Sequence, residues 1–272
     1  LAAGAHVVGI TGAPGSGKST LTAGLTTTLA ESGRRPAVLA VDPSSPLTGG
    51  AILGDRVRME AAATAGTFIR SMATRGHAGG LALAVPGMVR VLDACGFNPV
   101  LVETVGVGQV EVDVASAADT VVVVVTAGWG DAVQANKAGL LEIADLFVVN
   151  KADRPGTDDA RRDLDLMLDL SEITGQATRR PEIVITTATE NSGIDVLLAA
   201  VAEHQEFLVA GGELHGRRAR RYRAEVRSRL DYLLAQVAED RIADLPISLD
   251  EAPGAVALRL TAELLGIDGS VP

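Results

Sequence analysis

Gly12-Ala13-Pro14-Gly15-Ser16-Gly17-Lys18-Ser19 decides how the rest of this chain is read. An apolar run over residues 5–10 precedes it, and a helical pattern over 18–31 follows it. The spacing is G-x-x-x-x-G-K-[ST] at a strand-to-helix junction, the form of a phosphate-binding loop. Glycines let successive backbone N–H groups curl around phosphate oxygens, where a Cβ would obstruct the approach. The helix behind the loop points its positive end at the same anion. Lys18 is expected to reach the β and γ phosphates, and the Ser19 hydroxyl to ligate Mg²⁺. The loop from Gly12 through Ala13, Pro14, Gly15, Ser16 and Gly17 to Lys18, Ser19 and Thr20 is thus the candidate phosphate site. A dinucleotide-binding loop would have no use for Lys-Ser at the helix start.

Outward from this loop, short apolar runs alternate with helical patterns. Strands are predicted over 5–10, 37–41, 67–70, 100–103, 120–126, 146–150 and 182–186. Helices are predicted over 18–31, 80–95, 131–143, 158–174 and 194–208. Repeated βα units imply an α/β fold: a mostly parallel sheet with helices on both faces. Ligands then gather at the carboxyl ends of the strands. The chain has 272 residues, 47% hydrophobic and only 3% aromatic, so the core is built of Ala, Val, Leu and Ile. A net charge of −10 gives no general affinity for nucleic acid or an anionic membrane. No apolar run is long enough to span a bilayer. The sole cysteine, Cys95, excludes an intramolecular disulfide framework and lies on an apolar helical pattern that reads as core. With no signal peptide visible, the default location is the cytoplasm. Leu1 stands where an initiator Met is expected, so a preceding segment is expected to be missing from this sequence.

Asn150-Lys151-Ala152-Asp153 directly follows the strand predicted over 146–150. N-K-x-D at a strand end resembles the guanine-reading motif of P-loop GTPases. The Asp153 carboxylate can accept from the N1–H and the 2-amino group of guanine. Adenine offers neither donor in that arrangement, so it would leave the carboxylate unpaired. The Lys151 stem can cover the base, and Asn150 can tie this loop to the phosphate loop. Thr187-Ala188-Thr189, after the next strand, is placed to support the guanine O6 through backbone N–H groups. Lysine usage points to the same places. Of 24 basic residues only Lys18, Lys137 and Lys151 are lysine, and two of these three fall on the two motifs. By that logic Lys137 is also a candidate, against the alternative of an ordinary surface lysine.

Glu103-Thr104-Val105-Gly106 follows the strand predicted over 100–103 and resembles a D-x-x-G switch with Glu in place of Asp. Glu103 would sit near Mg²⁺, and the Gly106 N–H would touch the γ phosphate. Val107 occupies the place where Ras-like GTPases carry the glutamine that orients water, so intrinsic hydrolysis is expected to be slow. Asp42 ends the second predicted strand, and Asp55 follows a short loop; either could reach the metal shell or serve as a turn cap. Asp131, after Gly128-Trp129-Gly130, lies on a loop or caps a helix. His6, His77, His204 and His215 show no metal-ligand spacing.

After Gly211-Gly212 the character changes. Seven Arg fall between Arg217 and Arg229, and Tyr222, Val226, Leu230, Leu233 and Val237 recur at helical spacing. This reads as an amphipathic helix outside the main sheet, its arginines forming a solvated face or a partner surface. The domain division expected is 1–208 for the nucleotide domain and 209–272 for a helical arm.

Together these stretches resemble the MeaB/ArgK family of P-loop GTPases. The resemblance rests on Val7–Thr20, on DPSSP, GG and GDR within residues 39–58, on LVETVGVGQ at 101–109, on residues 128–153 and on Gly193-Ile194. It implies a GTPase chaperone for adenosylcobalamin-dependent methylmalonyl-CoA mutase, with GTP and Mg²⁺ gating cofactor delivery. It also implies a homodimer joined through the C-terminal arm, Mg²⁺ contacts at Ser19, Asp42, Asp55 and Glu103, and a further switch carrying Asp131 and Lys137. Arg179-Arg180-Pro181 departs from the family, which usually has a Trp there. Two other functions attach to similar proteins: a kinase or ATPase of periplasmic amino-acid-binding transport proteins, and a nickel metallochaperone. The first would want a kinase catalytic loop and the second Cys/His clusters, and the sequence shows neither.

Overall fold

The computed structural model describes residues 4–42, 67–73, 85–104, 117–128, 137–173, 179–245 and 251–265. Seven strands form one sheet: β1 (Val7–Thr11), β2 (Ala37–Asp42), β3 (Phe68–Ala73), β4 (Val100–Thr104), β5 (Thr120–Thr126), β6 (Leu146–Asn150) and β7 (Glu182–Thr186). Their order is β3-β2-β4-β1-β5-β6-β7, and every pairing is parallel. β5 is almost wholly Val and buried from Thr120 to Val125, as a strand covered on both faces must be. Among the described residues the helices are α1 (Lys18–Glu31), α2 (Val85–Ala94), α3 (Lys137–Ile143), α4 (Thr157–Ile173), α5 (Ile194–Ala210), α6 (Glu213–Ala243) and α7 (Pro253–Leu265).

Strand alternation sorts the core into two layers. Val7, Leu39, Val102, Val123 and Phe147 face Leu92 of α2, Leu140 of α3 and Leu164 of α4. Val8, Ile10, Leu101, Val124 and Val148 face Leu21 and Leu25 of α1 and Ile194 and Leu197 of α5. The fold is therefore the α/β P-loop architecture expected, with C-terminal helices following it. β1 starts two residues later than its apolar run, because Ala5 N–H and His6 N–H bond the Asp93 and Asn98 side chains instead of a strand. Cys95 does not belong to the core. α2 ends at Ala94, and the thiol is exposed.

Two compact units divide the chain, Leu1–Arg223 and Ala224–Pro272. The first turns of α6 belong to the first unit, where arginines hold them to the sheet as described below. In the second unit, α6 exposes Val226, Leu230, Leu233, Leu234 and Val237. Its i,i+4 pairs are Arg227–Asp231 at 3.0 Å and Glu225–Arg229 at 2.9 Å. Among the described residues, no helix is long and apolar enough to cross a membrane.

Candidate functional site

The phosphate loop rises from the carboxyl end of β1, in the middle of the sheet. Two glycines are required by its geometry. Gly12 has φ 135°, and a Cβ there would overlap the Val124 carbonyl oxygen of β5. Gly17 has φ 93°, and a Cβ there would overlap the Asn150 amide nitrogen. At the crest, no atom of the described residues lies within 4 Å of the position of a Cβ at Gly15. α1 starts with no side-chain cap and no acidic residue in its first turn, so its N–H groups remain available to an anion. Lys18 is only 6% exposed, and its Nζ donates to Gly12 O at 2.7 Å and Ala13 O at 3.0 Å. The cation is thus stored inside the loop. Ser16 Oγ is buried with no hydrogen-bond partner among the described residues. Thr20 is exposed in the first turn of the helix.

Glu103 points to the α1 side of the sheet and is 3% exposed. Ser19 Oγ donates to its Oε1 at 2.6 Å. A hydroxyl and a carboxylate meeting beside a phosphate loop are hard oxygen donors suited to Mg²⁺, which keeps waters and shares phosphate oxygens. Among the described residues no group of three or more His, Cys, Asp or Glu could hold a metal. Asp42 ends β2, beside β4, but its side chain lies outside the described residues, as do Asp55, Gly106 and Asp131. Lys137 begins α3, and its side chain too lies outside the description.

Asn150 joins three loops. Its Nδ2 donates to Ser16 O at 2.9 Å. Its Oδ1 accepts from Thr186 Oγ1 at 3.0 Å and from Ala188 N–H at 3.2 Å. Lys151 takes the left-handed conformation, φ 62°, and its Nζ donates to Gly15 O at 2.6 Å. The lysine stem therefore reaches back to the phosphate loop. Ala152 N–H donates to Thr186 O at 3.1 Å, which pins the turn carrying the exposed Asp153. Thr187 and Ala188 are buried at the start of a short 3₁₀ turn, and Thr189 is exposed. The structure thus brings the phosphate loop, 150–153 and 186–189 together at one end of the sheet.

The opposite end holds a polar cluster that the sequence reading missed. Asp119, fully buried before β5, accepts from Val7 N–H at 3.1 Å, Arg218 at 3.0 Å and Arg221 at 3.1 Å. Burial alone would raise its pKa, but the Arg218 hydrogen bond and the charges of Arg221 and Arg218 hold it below the ordinary carboxylate range. Asp145, before β6, pairs with Arg217 at 2.8 Å and with His204 Nε2 at 3.2 Å. Burial opposes its ionisation, and His204 and Arg217 overcome that, so it too is lowered. Thr120 Oγ1 lies 2.8 Å from His204 Nδ1 and 2.8 Å from His6 Nε2. Burial pushes the His6 pKa down to about 4, against the attraction of Asp119. Three of the arginines expected on a solvated face or a partner surface are therefore clamps on Asp119, which is buried, and Asp145, which is half-buried.

A glycine-rich loop with a buried lysine, at the carboxyl end of a seven-stranded parallel sheet, defines a P-loop nucleoside triphosphatase. Residues 1–242 match the family described as Methylmalonyl Co-A mutase-associated GTPase MeaB. A protein of Pyrococcus abyssi named as a GTPase is 50% identical over 244 residues, which is 89% of this chain and 75% of that one. The mouse methylmalonic aciduria type A homolog, a mitochondrial protein, is 36% identical over 219 residues, 78% of this chain and 52% of its own. A crystal structure of an LAO/AO transport system kinase aligns with TM-score 0.61 and 26% identity, covering 97% of this chain and 82% of that one. The chain belongs to the MeaB family, and with it to the P-loop GTP hydrolases.

Proposed function

We propose that this GTPase is Mg²⁺-dependent and serves as a chaperone for an adenosylcobalamin-dependent methylmalonyl-CoA mutase, with GTP binding and hydrolysis gating cofactor delivery. The observation that carries the nucleotide half is Asn150, which ties Ser16 of the phosphate loop to Ala188 of the loop beside the base. Phosphate and base are then read by one rigid assembly. The partner half is supported by the family's description and by the mouse relative's name.

In this reading the amides from Gly12 to Thr20 wrap the phosphate tail. Lys18 leaves the Gly12 and Ala13 carbonyls for the β and γ phosphates, so its cation is presented without a search through rotamers. Asp153 pairs with the guanine edge, Lys151 covers the base, and the amides of Thr187, Ala188 and Thr189 support O6. Ser19, Glu103, Asp42 and Asp55 hold Mg²⁺, which, when bound, neutralises charge on the transferring phosphoryl group. Gly106 contacts the γ phosphate, and Asp131 and Lys137 belong to a further switch. The residues on 209–272 form a homodimerising arm, supported by the exposed stripe of Val226, Leu230, Leu233 and Val237. The cytoplasm is the proposed location.

A nucleotide can act on a partner only through unequal affinity of its two states. Co-elution of the chain with a purified adenosylcobalamin-dependent methylmalonyl-CoA mutase, first with GDP and then with a non-hydrolysable GTP analogue, tests this. Unequal retention in the two states is expected. Equal retention, or none, contradicts the chaperone role. Release of phosphate from GTP without labelling of any protein separates this reading from a protein kinase.

A further inference from the structure

We propose that Thr11 and Thr104 are positioning residues for GTP hydrolysis, their hydroxyl bridge fixing the spacing between the phosphate loop and the Glu103 end of β4. The inference rests on the GTPase reading above. Thr11 is the last residue of β1, immediately before Gly12, and Thr104 is the last of β4, immediately after Glu103. The β1–β4 register pairs Ile10 with Glu103. One rung further on, Thr104 Oγ1 donates to Thr11 Oγ1 at 3.1 Å, and both side chains are fully buried.

The pleat gives this bridge its leverage. Val100 and Val102 face the layer of α2, α3 and α4, while Leu101 faces that of α1. Alternation puts Thr104 on the first face and Glu103 on the second. The end of β4 is therefore held on both faces at once, by Thr11 on one and by Ser19 on the other. The ladders to β1 and β2 already hold the backbone of this strand end. The two side-chain bonds add a tie on each face, and together they set the direction in which Glu103 presents its carboxylate. Packing does not require the hydroxyls. Val fills the same volume without the cost of burying two polar groups.

The test is steady-state GTP hydrolysis over a range of Mg²⁺ concentrations for Thr104→Val, Thr11→Val, the double variant and Thr104→Ser. GDP affinity without Mg²⁺, by calorimetry, serves as a folding and base-site control. Each valine variant is expected to lower kcat by about 5- to 10-fold and to raise the half-saturating Mg²⁺ by a similar factor, with GDP affinity held within about twofold. The double variant is expected to be no worse than either single one, since both remove one bond. Thr104→Ser, which keeps the hydroxyl, recovers most of the lost turnover. Unchanged kcat and Mg²⁺ dependence in the valine variants, additive losses, or a serine variant no better than valine would overturn the proposal. If Thr104→Val fails to fold, Thr11→Val reads the same bridge from the phosphate-loop side. A wild-type chain that turns over no GTP overturns both readings, whereas full turnover in the valine variants overturns this one alone.

Discussion

Below the amino end of β5, Asp119 is closed in by Val7 N–H, Arg218 and Arg221. Above the carboxyl end of β1, among the described residues, no atom lies near the position of a Cβ at Gly15, no side chain caps the start of α1, and the Ser16 hydroxyl has no partner. One sheet thus carries two polar ends put to opposite uses. Asp119 is met by Val7 N–H and two arginines, and Thr120, His204, Asp145 and Arg217 by one another, so that among the described residues none of these side chains has an orphaned buried polar atom. The phosphate-loop end keeps donors in reserve, and even Lys18 is parked on backbone carbonyls that a phosphate can displace. Burial and charge alone do not mark a functional site. What marks it is polar capacity that the protein itself does not use.

Substitutions should separate the two ends. The largest effect is expected for Lys18→Ala, with GTP turnover down about 10³-fold and the thermal midpoint nearly unmoved. A large loss of stability instead would place Lys18 among the structural groups. Asp119→Ala should do the reverse. It strands Arg218 and Arg221 without their carboxylate and should cost about 3 kcal/mol in denaturant unfolding, with turnover at 25 °C retained. Little change in stability would show that water readily replaces the clamp.

Acid should attack the amino end next. His6 has a pKa of about 4 in the folded protein against 6.5 when unconstrained. Between those values the unfolded chain binds a proton that the folded chain refuses. Stability therefore rises with pH across the window and is lost as pH falls from 6.5 towards 4, by up to about 3 kcal/mol. Asp119 and Asp145, both held below the ordinary carboxylate range, extend the loss in the same direction at lower pH. Unfolding free energies measured from pH 7 to 4 should show this slope, and His6→Gln should flatten it. The smallest effect belongs to Ser16→Ala. Removing a buried hydroxyl with no partner should leave stability unchanged or raise it by up to about 1 kcal/mol. A clear loss would mean that the hydroxyl is bonded.

The difference between the ends also explains what could be read from sequence. The carboxyl end is local: the phosphate loop is one continuous octapeptide, and Asn150 to Asp153 sit on a single strand end, so spacing alone carries the chemistry. The seven strands were legible because β5 and its neighbours are unbroken apolar runs with turns between them. The amino end is assembled from residues far apart in the chain, such as Arg218 with Asp119 and His6 with His204 across Thr120. Ion pairs of that kind follow no period, so the arginines after Gly212 looked like a solvated face. Cys95 was misplaced for a related reason: its apolar neighbours continue the helical pattern, but the turn at Gly96, φ 78°, ends the helix before the thiol is covered.

Calorimetric titration of the intact chain with GTP and with ATP, each with Mg²⁺, puts the proposed guanine-reading role of Asp153 to the most direct test. GTP should bind at least about 10³-fold more tightly, because adenine leaves the carboxylate without a donor. ATP held as tightly as GTP, or neither nucleotide held at all, would contradict the account.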